Sequence, residues 1–289
     1  MVQINLRALR RSAGLHKRAA RYAMRELELN RLFRPRRIDL CCCGLSKSGT
    51  HSIAGMFGRY RSQHHPDRNV RVPLSISLIK GEISVAKASS TLGKRDRKLW
   101  LEMESSTLTG ILVEPLMDAC PGKRFILTIR DVFSWSESWL DHNINRPPGP
   151  KSQFAALDRT RLRADEIAPG PHDAPLIELG FPSLACFFQM WAEHNSRILD
   201  VVPPDRLFVL KTADINERLD EIARWAGVER DMLCGDRTWL AKPPVKHHVL
   251  SKLDPNYVQD SAERFCGSLM DRFFDGLAVS EYFERHQAR

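Results

Sequence analysis

The sequence predicts an α/β protein, a three-layer α/β/α fold on a central, mostly parallel sheet. Three observations carry that expectation. Short, near-continuous apolar runs alternate with stretches of helical periodicity, as strands buried on both faces require. The first such run ends in a glycine-bounded loop directly before an amphipathic helix. The length, 289 residues, suits one large domain or two modest ones.

Taken in order, Ile38–Gly44 (IDLCCCG) reads as a short buried strand closed by glycine, followed by a loop, Leu45–Thr50. In the next helix Ile53, Met56, Phe57 and Tyr60 recur at i, i+3, i+4 and i+7, one apolar stripe for a sheet. Leu99–Met103 reads as a second strand and Ile111–Cys120 as a helix. Phe125–Ile129 reads as a third strand, with Pro121-Gly122 marking the break before it. A helix from about Ser134 follows. Residues 146–182 hold seven of the seventeen prolines, so an irregular excursion is expected there. The alternation resumes with a helix over Ser183–Val201, a strand at Arg206–Leu210 and a helix over Ile215–Ala226 ended by Gly227. Lys242–Lys252 reads as a basic, proline-interrupted loop before a helical terminus.

Apolar residues at 43% and charged residues at 27% exclude a disordered, collagen-like or disulfide-scaffold chain. Seven cysteines without CxxC spacing, three of them consecutive at Cys41–Cys43, fit reduced thiols and a cytoplasmic setting. Adjacent residues on a strand point to opposite faces, so these neighbours do not pair. No apolar run approaches the roughly 20 residues of a membrane span. The net charge of +9 is located rather than general. Residues 1–37 carry ten arginines and Lys17 against Glu26 and Glu28, which accounts for the whole excess and leaves 38–289 neutral. The expected division is therefore a basic N-terminal arm, 1–37, and an α/β domain, 38–289. The arm lacks a secretory h-region, and Ile4, Leu6, Leu9, Leu15, Tyr22, Leu29, Leu32 and Phe33 give it a broken apolar stripe. Peripheral contact with anionic lipid is one role for it, and a solvated helix on its own domain is the plainer one.

Two motifs carry chemistry. In Gly44-Leu-Ser-Lys47-Ser48-Gly49-Thr50-His51-Ser52, a strand-to-helix turn aims successive backbone N–H groups at one point, with Lys47 as a cation and Thr50 as a hydroxyl. This makes the fold one of the P-loop nucleotide-binding type, although the lysine sits inside the loop rather than after the second glycine as in Walker A. The second motif is Arg130, at the carboxyl end of the third strand, with Ser138 eight residues on in the following helix. Ligands of open α/β sheets bind at that edge, where the guanidinium can grip a phosphate.

Together the motifs resemble the sulfotransferase family that uses 3′-phosphoadenosine-5′-phosphosulfate (PAPS). Lys47, Ser48, Gly49 and Thr50 match its 5′-phosphosulfate loop, and Arg130 and Ser138 its 3′-phosphate motif. Asp205–Ile215 with the helix to Gly227 is similar to its late strand and helix. The resemblance covers about residues 38–228. His51 and Ser52 stand where many members have threonine and an aromatic residue, and that family's Arg-Lys-Gly loop is not evident. Lys242, Lys246 and Lys252 are the basic residues in its place.

The resemblance implies in-line transfer of a sulfuryl group from PAPS to a hydroxyl or amine of a small-molecule, glycan or lipid acceptor. It implies PAP as the product and no metal. Lys47 would stabilise the leaving phosphate, and Lys47, Ser48, Gly49, Thr50, His51, Ser52, Arg130 and Ser138 would bind the nucleotide. The acceptor has to lose a proton. Glu104 is the first choice for the base and Glu102 the second, since a carboxylate on a buried strand is costly unless paired or used. Pairing with an arginine or lysine is an equal reading for either. His51 is a further candidate for the proton, and His64-His65-Pro66 is either a wall of the acceptor pocket or a surface turn. Trp135 and Trp139 read as core. Segments 69–98 and 146–182, with Arg146, Lys151, Arg159, Arg161 and Arg163, are the expected acceptor walls. A P-loop kinase of a nucleoside or small molecule is the alternative enzyme, and an adaptor acting on a membrane or nucleic acid through the arm is the non-enzyme reading. No nucleic-acid partner is expected on the leading one.

Overall fold

The computed structural model describes residues 34–149, 152–235 and 245–287. Most of the basic arm, and Lys151 and Lys242, lie outside the described residues. The four arm residues that are described belong to the body. Arg36 pairs with Asp39 and Asp96 and lies over the Trp100 ring at 4.0 Å, while Arg37 binds Glu102. Trp100 Nε1 donates to Arg34 O.

Five parallel strands form the sheet in the order β2-β3-β1-β4-β5: β1 Leu40–Cys42, β2 Ser62–His64, β3 Met103–Ser105, β4 Arg124–Ile129 and β5 Leu207–Lys211. The central strand β1 matches Cys42 with Ser105 on one side and with Ile126 on the other. Its neighbours β3 and β4 are reached by crossovers to opposite sides, which opens a crevice at the carboxyl edge. Both faces are covered, as an all-parallel sheet requires. On one face Leu40 and Cys42 pack with Ile53 and Met56 of α1 (Thr50–Met56) and with Ile222 and Ala223 of α10 (Leu219–Ala226). On the other, Cys41 and Cys43 pack with Leu92, Leu116 and Ile198, so the three cysteines do alternate between faces. Those last three residues sit on α3 (Val85–Leu99), α5 (Val113–Ala119) and α9 (Leu184–Val201). A further core joins α6 (Val132–Asn145) and α9 to α11 (Pro255–Phe274) and α12 (Val279–Gln287), around Phe133, Trp135, Phe188 and Trp191.

The structure departs from the sequence expectations in five places. Leu99 ends a helix rather than starting a strand: Ala88, Leu92, Arg95 and Leu99 carry a helical period into the core, and Trp100 at φ 50° stops it. The strand therefore begins at Met103, and Glu102 lies just before it. The edge strand β2 was not anticipated, because Ser-Gln-His has no apolar signal. Residues 69–98 are not an open connection but α3 and most of α2 (Arg68–Ile79). Residues 146–182 contain α7 (Gln153–Leu162) and α8 (Ala174–Glu178), because the prolines flank α7 and the two inside helical turns, Pro171 of a 3-10 turn and Pro175 of α8, sit in the first turn. Helix α4 (Thr107–Ile111) likewise precedes α5 where a single helix was expected.

Candidate active site

The loop between β1 and α1 owes its shape to a few contacts at the carboxyl edge. Gly44 is tied to β4: a Cβ there would lie 2.5 Å from Thr128 O. Lys47 at φ 70° and Gly49 at φ 94° hold two left-handed turns around Ser48. The Ser48 hydroxyl donates to Leu45 O at 2.6 Å and sits 3.1 Å from Thr128 Oγ1, while its N–H also goes to Leu45 O. Ser48, expected among the anion ligands, thus braces the loop from within, and its side chain is buried. The indole of Trp135 donates to Ser46 O at 2.8 Å and Thr212 Oγ1 donates to Ser48 O at 2.8 Å. Held this way, the loop leaves the N–H groups of Gly49, Thr50 and His51 with no protein acceptor among the described residues. Free amides in a tight turn form a hollow for an anion.

Arg130 stands at the end of β4, where its Nη1 reaches Lys47 O at 3.4 Å and so joins the two motifs. Its Nε donates to Ser134 Oγ at 2.8 Å, and Ser134 donates in turn to Asp131. Asp131 also accepts from Ser134 N and caps α6, so it is not the salt-bridge partner of Arg130. Trp191 Nε1 fixes the Arg130 carbonyl at 3.0 Å. Neither Lys47 nor Arg130 pairs with a carboxylate among the described residues. Burial lowers the pKa of Lys47, and the neighbouring Arg130 and Arg146 lower it further. Burial also lowers that of Arg130. Two partly desolvated cations side by side, offset only at a distance by Asp131 and Asp141 among the described residues, favour an anion that joins them.

Ser138 follows Ser134 by one helical turn on α6 and His142 follows Ser138 by another. The pKa of His142 is lowered by burial, then by Lys47 and Arg146, so this stripe faces the same cations. The sequence signal was the four-residue spacing from Arg130 onward, of which only Ser138 had been singled out. On its other flank α6 holds the chain after residue 245. Glu137 accepts from the N–H groups of Val249 (2.6 Å) and Leu250 (3.0 Å), and Asp141 accepts from His247 N at 2.7 Å. Lys246 and Lys252 are exposed on that stretch.

On the opposite side of the loop, Thr50 Oγ1 and His64 Nε2 lie 3.3 Å apart. The exposed ring of His51 lies tilted against His64 at 4.6 Å, and His64 contacts His65 at 4.1 Å. His65 Nδ1 reaches Ser106 Oγ at 2.7 Å and its ring meets Phe154 of α7 at 5.2 Å. His64-His65 is thus neither a plain surface turn nor remote from the loop. Burial lowers the His64 pKa to about 3 and that of His65 to about 4, so both rings are neutral near pH 7. Ser52, in the first turn of α1, is half-buried.

The two glutamates expected as bases are engaged elsewhere. Glu104 lies on the sheet face opposite Ser105, clamped by Arg71 and, at 2.7 Å, by Arg95. Those guanidiniums overcome the opposing effect of burial and hold its pKa down to about 2. Glu102 accepts from Arg37 Nε at 3.0 Å and from Arg61 N at 2.9 Å, which hold its pKa below the usual carboxylate range. A carboxylate already shared between cations is a poor proton acceptor. Trp135 and Trp139 are buried as expected, Trp135 with the added role of holding the loop.

Among the described residues no His, Cys, Asp and Glu cluster could hold a metal ion, and no helix is long and apolar enough to cross a membrane. A family model described as a sulfotransferase domain matches residues 39–222. Among solved structures, the chain is similar to a sulfotransferase from Alicyclobacillus acidocaldarius at 12% identity. That match covers 85% of this chain and 99% of the other, with a TM-score of 0.44. It is also similar to the sulfotransferase domain from the curacin biosynthetic pathway at 11% identity, covering 78% and 89%, with a TM-score of 0.34. A search of the curated proteins returned no match.

Proposed function

The chain belongs to the sulfotransferase-domain family, and from that premise we propose that it moves a sulfuryl group from PAPS to a hydroxyl or amine of an acceptor. The observation that carries the reading is the meeting of Lys47 and Arg130, two cations without carboxylate partners among the described residues, beside three free loop amides. That donor set fits a nucleotide with anionic groups at both its 5′ and 3′ positions. PAPS supplies the sulfuryl group on a phosphate that leaves.

Lys47 and the N–H groups of Gly49, Thr50 and His51 stabilise charge as it grows on the leaving phosphate. Arg130, oriented by Ser134, grips the 3′-phosphate with Ser138 beside it. Binding both ends of the nucleotide fixes the line of attack, and such alignment is a major source of rate in group transfer. For the acceptor proton we assign His64, supported by its neutral ring and its place against Thr50 and His51. A dianion on the loop strengthens it as a base, since opposite charge favours the protonated form. Contact of the N-terminal arm with a membrane, and cytoplasmic residence, stay proposals that rest on charge and cysteine usage.

Calorimetric titration with PAP and, separately, with ATP and magnesium tests the reading. Tight binding of PAP that Lys47→Ala or Arg130→Gln weakens by about tenfold or more is expected. Tight ATP–magnesium binding with no affinity for PAP would favour a kinase and overturn it.

A further inference from the structure

A second cluster of cations lies where α4, the end of α7 and the middle of α9 line a half-open pocket of about 70 Å³. Its wall includes Arg161, Arg163, Arg197, Glu193, His194 and Gly110. The space equals about two waters at roughly 30 Å³ each, room for one carboxylate or sulfate group.

The charges in this wall do not balance. Glu193 is committed to Arg163 at 3.1 Å and to Gln189 at 2.9 Å. Among the described residues Arg161 donates to neutral groups, Thr107 Oγ1 and His194 Nδ1, each at 3.3 Å. Asp158, one turn earlier on α7, is the carboxylate whose charge it feels, without an ion pair between them. Arg197, exposed at the mouth of the pocket, makes no hydrogen bond or ion pair among the described residues. A guanidinium has no acceptor atom, so His194 Nδ1 must accept from Arg161. Its Nε2 then carries the proton and donates to Cys43 O at 2.8 Å. Burial first, and then Arg161 and Arg197, lower the pKa of His194 to about 3, so it adds no positive charge of its own. The ring is also locked in place, because a Cβ on Gly110 would meet His194 Nε2 at 2.6 Å. The wall is thus rigid, and two of its cations have no carboxylate in ion-pair contact among the described residues.

We propose that this pocket is an anion site taking the carboxylate or sulfate group of an acidic acceptor, which Arg161 and Arg197 hold while the acceptor hydroxyl faces the phosphate loop. The acceptor role rests on the sulfotransfer reading above, whereas the anion site itself does not. The wall is joined to the edge that carries the loop at two points. His194 bonds Cys43, the residue before Gly44, and Arg161 bonds Thr107, the residue after the Ser106 that contacts His65. An acceptor anchored here by its acid is held by the same strand ends that position Lys47 and His64.

The test uses inorganic sulfate as the probe, in the full chain carrying Lys47→Ala and Arg130→Gln so that the nucleotide loop no longer competes. Sulfate is titrated by calorimetry at constant ionic strength. Saturable binding is expected, weakened about tenfold or more by Arg197→Gln and by Arg161→Gln, a loss of about 1.4 kcal/mol or more. Glucuronate should displace sulfate and glucose should not. Arg197→Gln removes no recorded bond and keeps the test decisive if Arg161→Gln fails to fold. Absence of saturable binding, or binding that Arg197→Gln leaves unchanged, overturns the proposal. Failure of PAP to bind the unmodified loop counts against the sulfotransfer reading alone, because the sulfate titration does not use that loop.

Discussion

Replacing Glu104 by glutamine separates a structural from a catalytic carboxylate. The side chain is 9% exposed and sits between Arg71, fully buried, and Arg95. Its pKa is held at about 2 against an ordinary 4.5. At about 1.4 kcal/mol per unit, that depression is worth about 3 kcal/mol of folding stability at pH 7. Leaving the arginines uncompensated predicts the same order, about 3–5 kcal/mol. In a chain of this size the expected fall in Tm is about 6 °C or more. Because the folded pKa is depressed, the contribution is complete above pH 4.5 and is lost as pH falls towards 2. Urea unfolding of the parent protein and of Glu104→Gln should therefore differ by about 3 kcal/mol at pH 7, and the gap should narrow steadily below pH 4.5. Turnover per folded molecule should change little. A variant of unchanged stability whose kcat collapses would refute this reasoning and return the base to Glu104.

Three further outcomes are expected. Arg130→Gln should weaken PAP by about tenfold or more while leaving thermal stability at least as high as in the parent, because it removes a desolvated cation with no ion pair in the apo protein; calorimetry and a melting curve read both. His64→Gln should lower kcat by about 10²–10⁴-fold with PAP affinity unchanged, and the acidic limb of the kcat/KM profile should lie well below pH 6.5, since the free ring's pKa is lowered to about 3; a limb that persists in the variant would assign the base elsewhere. Gly44→Ala should destabilise the fold by about 1–3 kcal/mol and abolish nucleotide binding, because its Cβ would press on Thr128 O; a stable variant that still binds PAP would show that the loop can shift.

Legibility varied with how local the signal was. The strand at Leu40–Cys42, the helix stripe of Ile53, Met56 and Phe57, the α9 helix after Ser183 and the Gly227 stop follow from neighbours in the chain, and the sequence expectations for them hold. The polar edge strand β2 did not register, because its three residues gain their place from pairing with β3 rather than from burial. The start of β3 was misplaced, since Leu99 and Leu101 are apolar in either conformation and only the stop at Trp100 separates helix from strand. Prolines in 146–182 were taken for irregularity although they bound helices.

The sequence by itself determined the cations of the site and the loop that would carry them: a lysine and an arginine at the ends of two apolar strands, in spacings that a nucleotide can use. It also confined the excess charge to the first 37 residues. What the tertiary structure decided is which charges are free. Glu102, Glu104 and Lys123 are neutralised across 9 to 84 residues of chain by Arg61, Arg71, Arg95, Asp39 and Asp96, whereas Lys47, Arg130, Arg161 and Arg197 have no carboxylate in ion-pair contact among the described residues. Ion pairing depends on distances of a few ångströms and on local burial, and neither quantity is local in sequence.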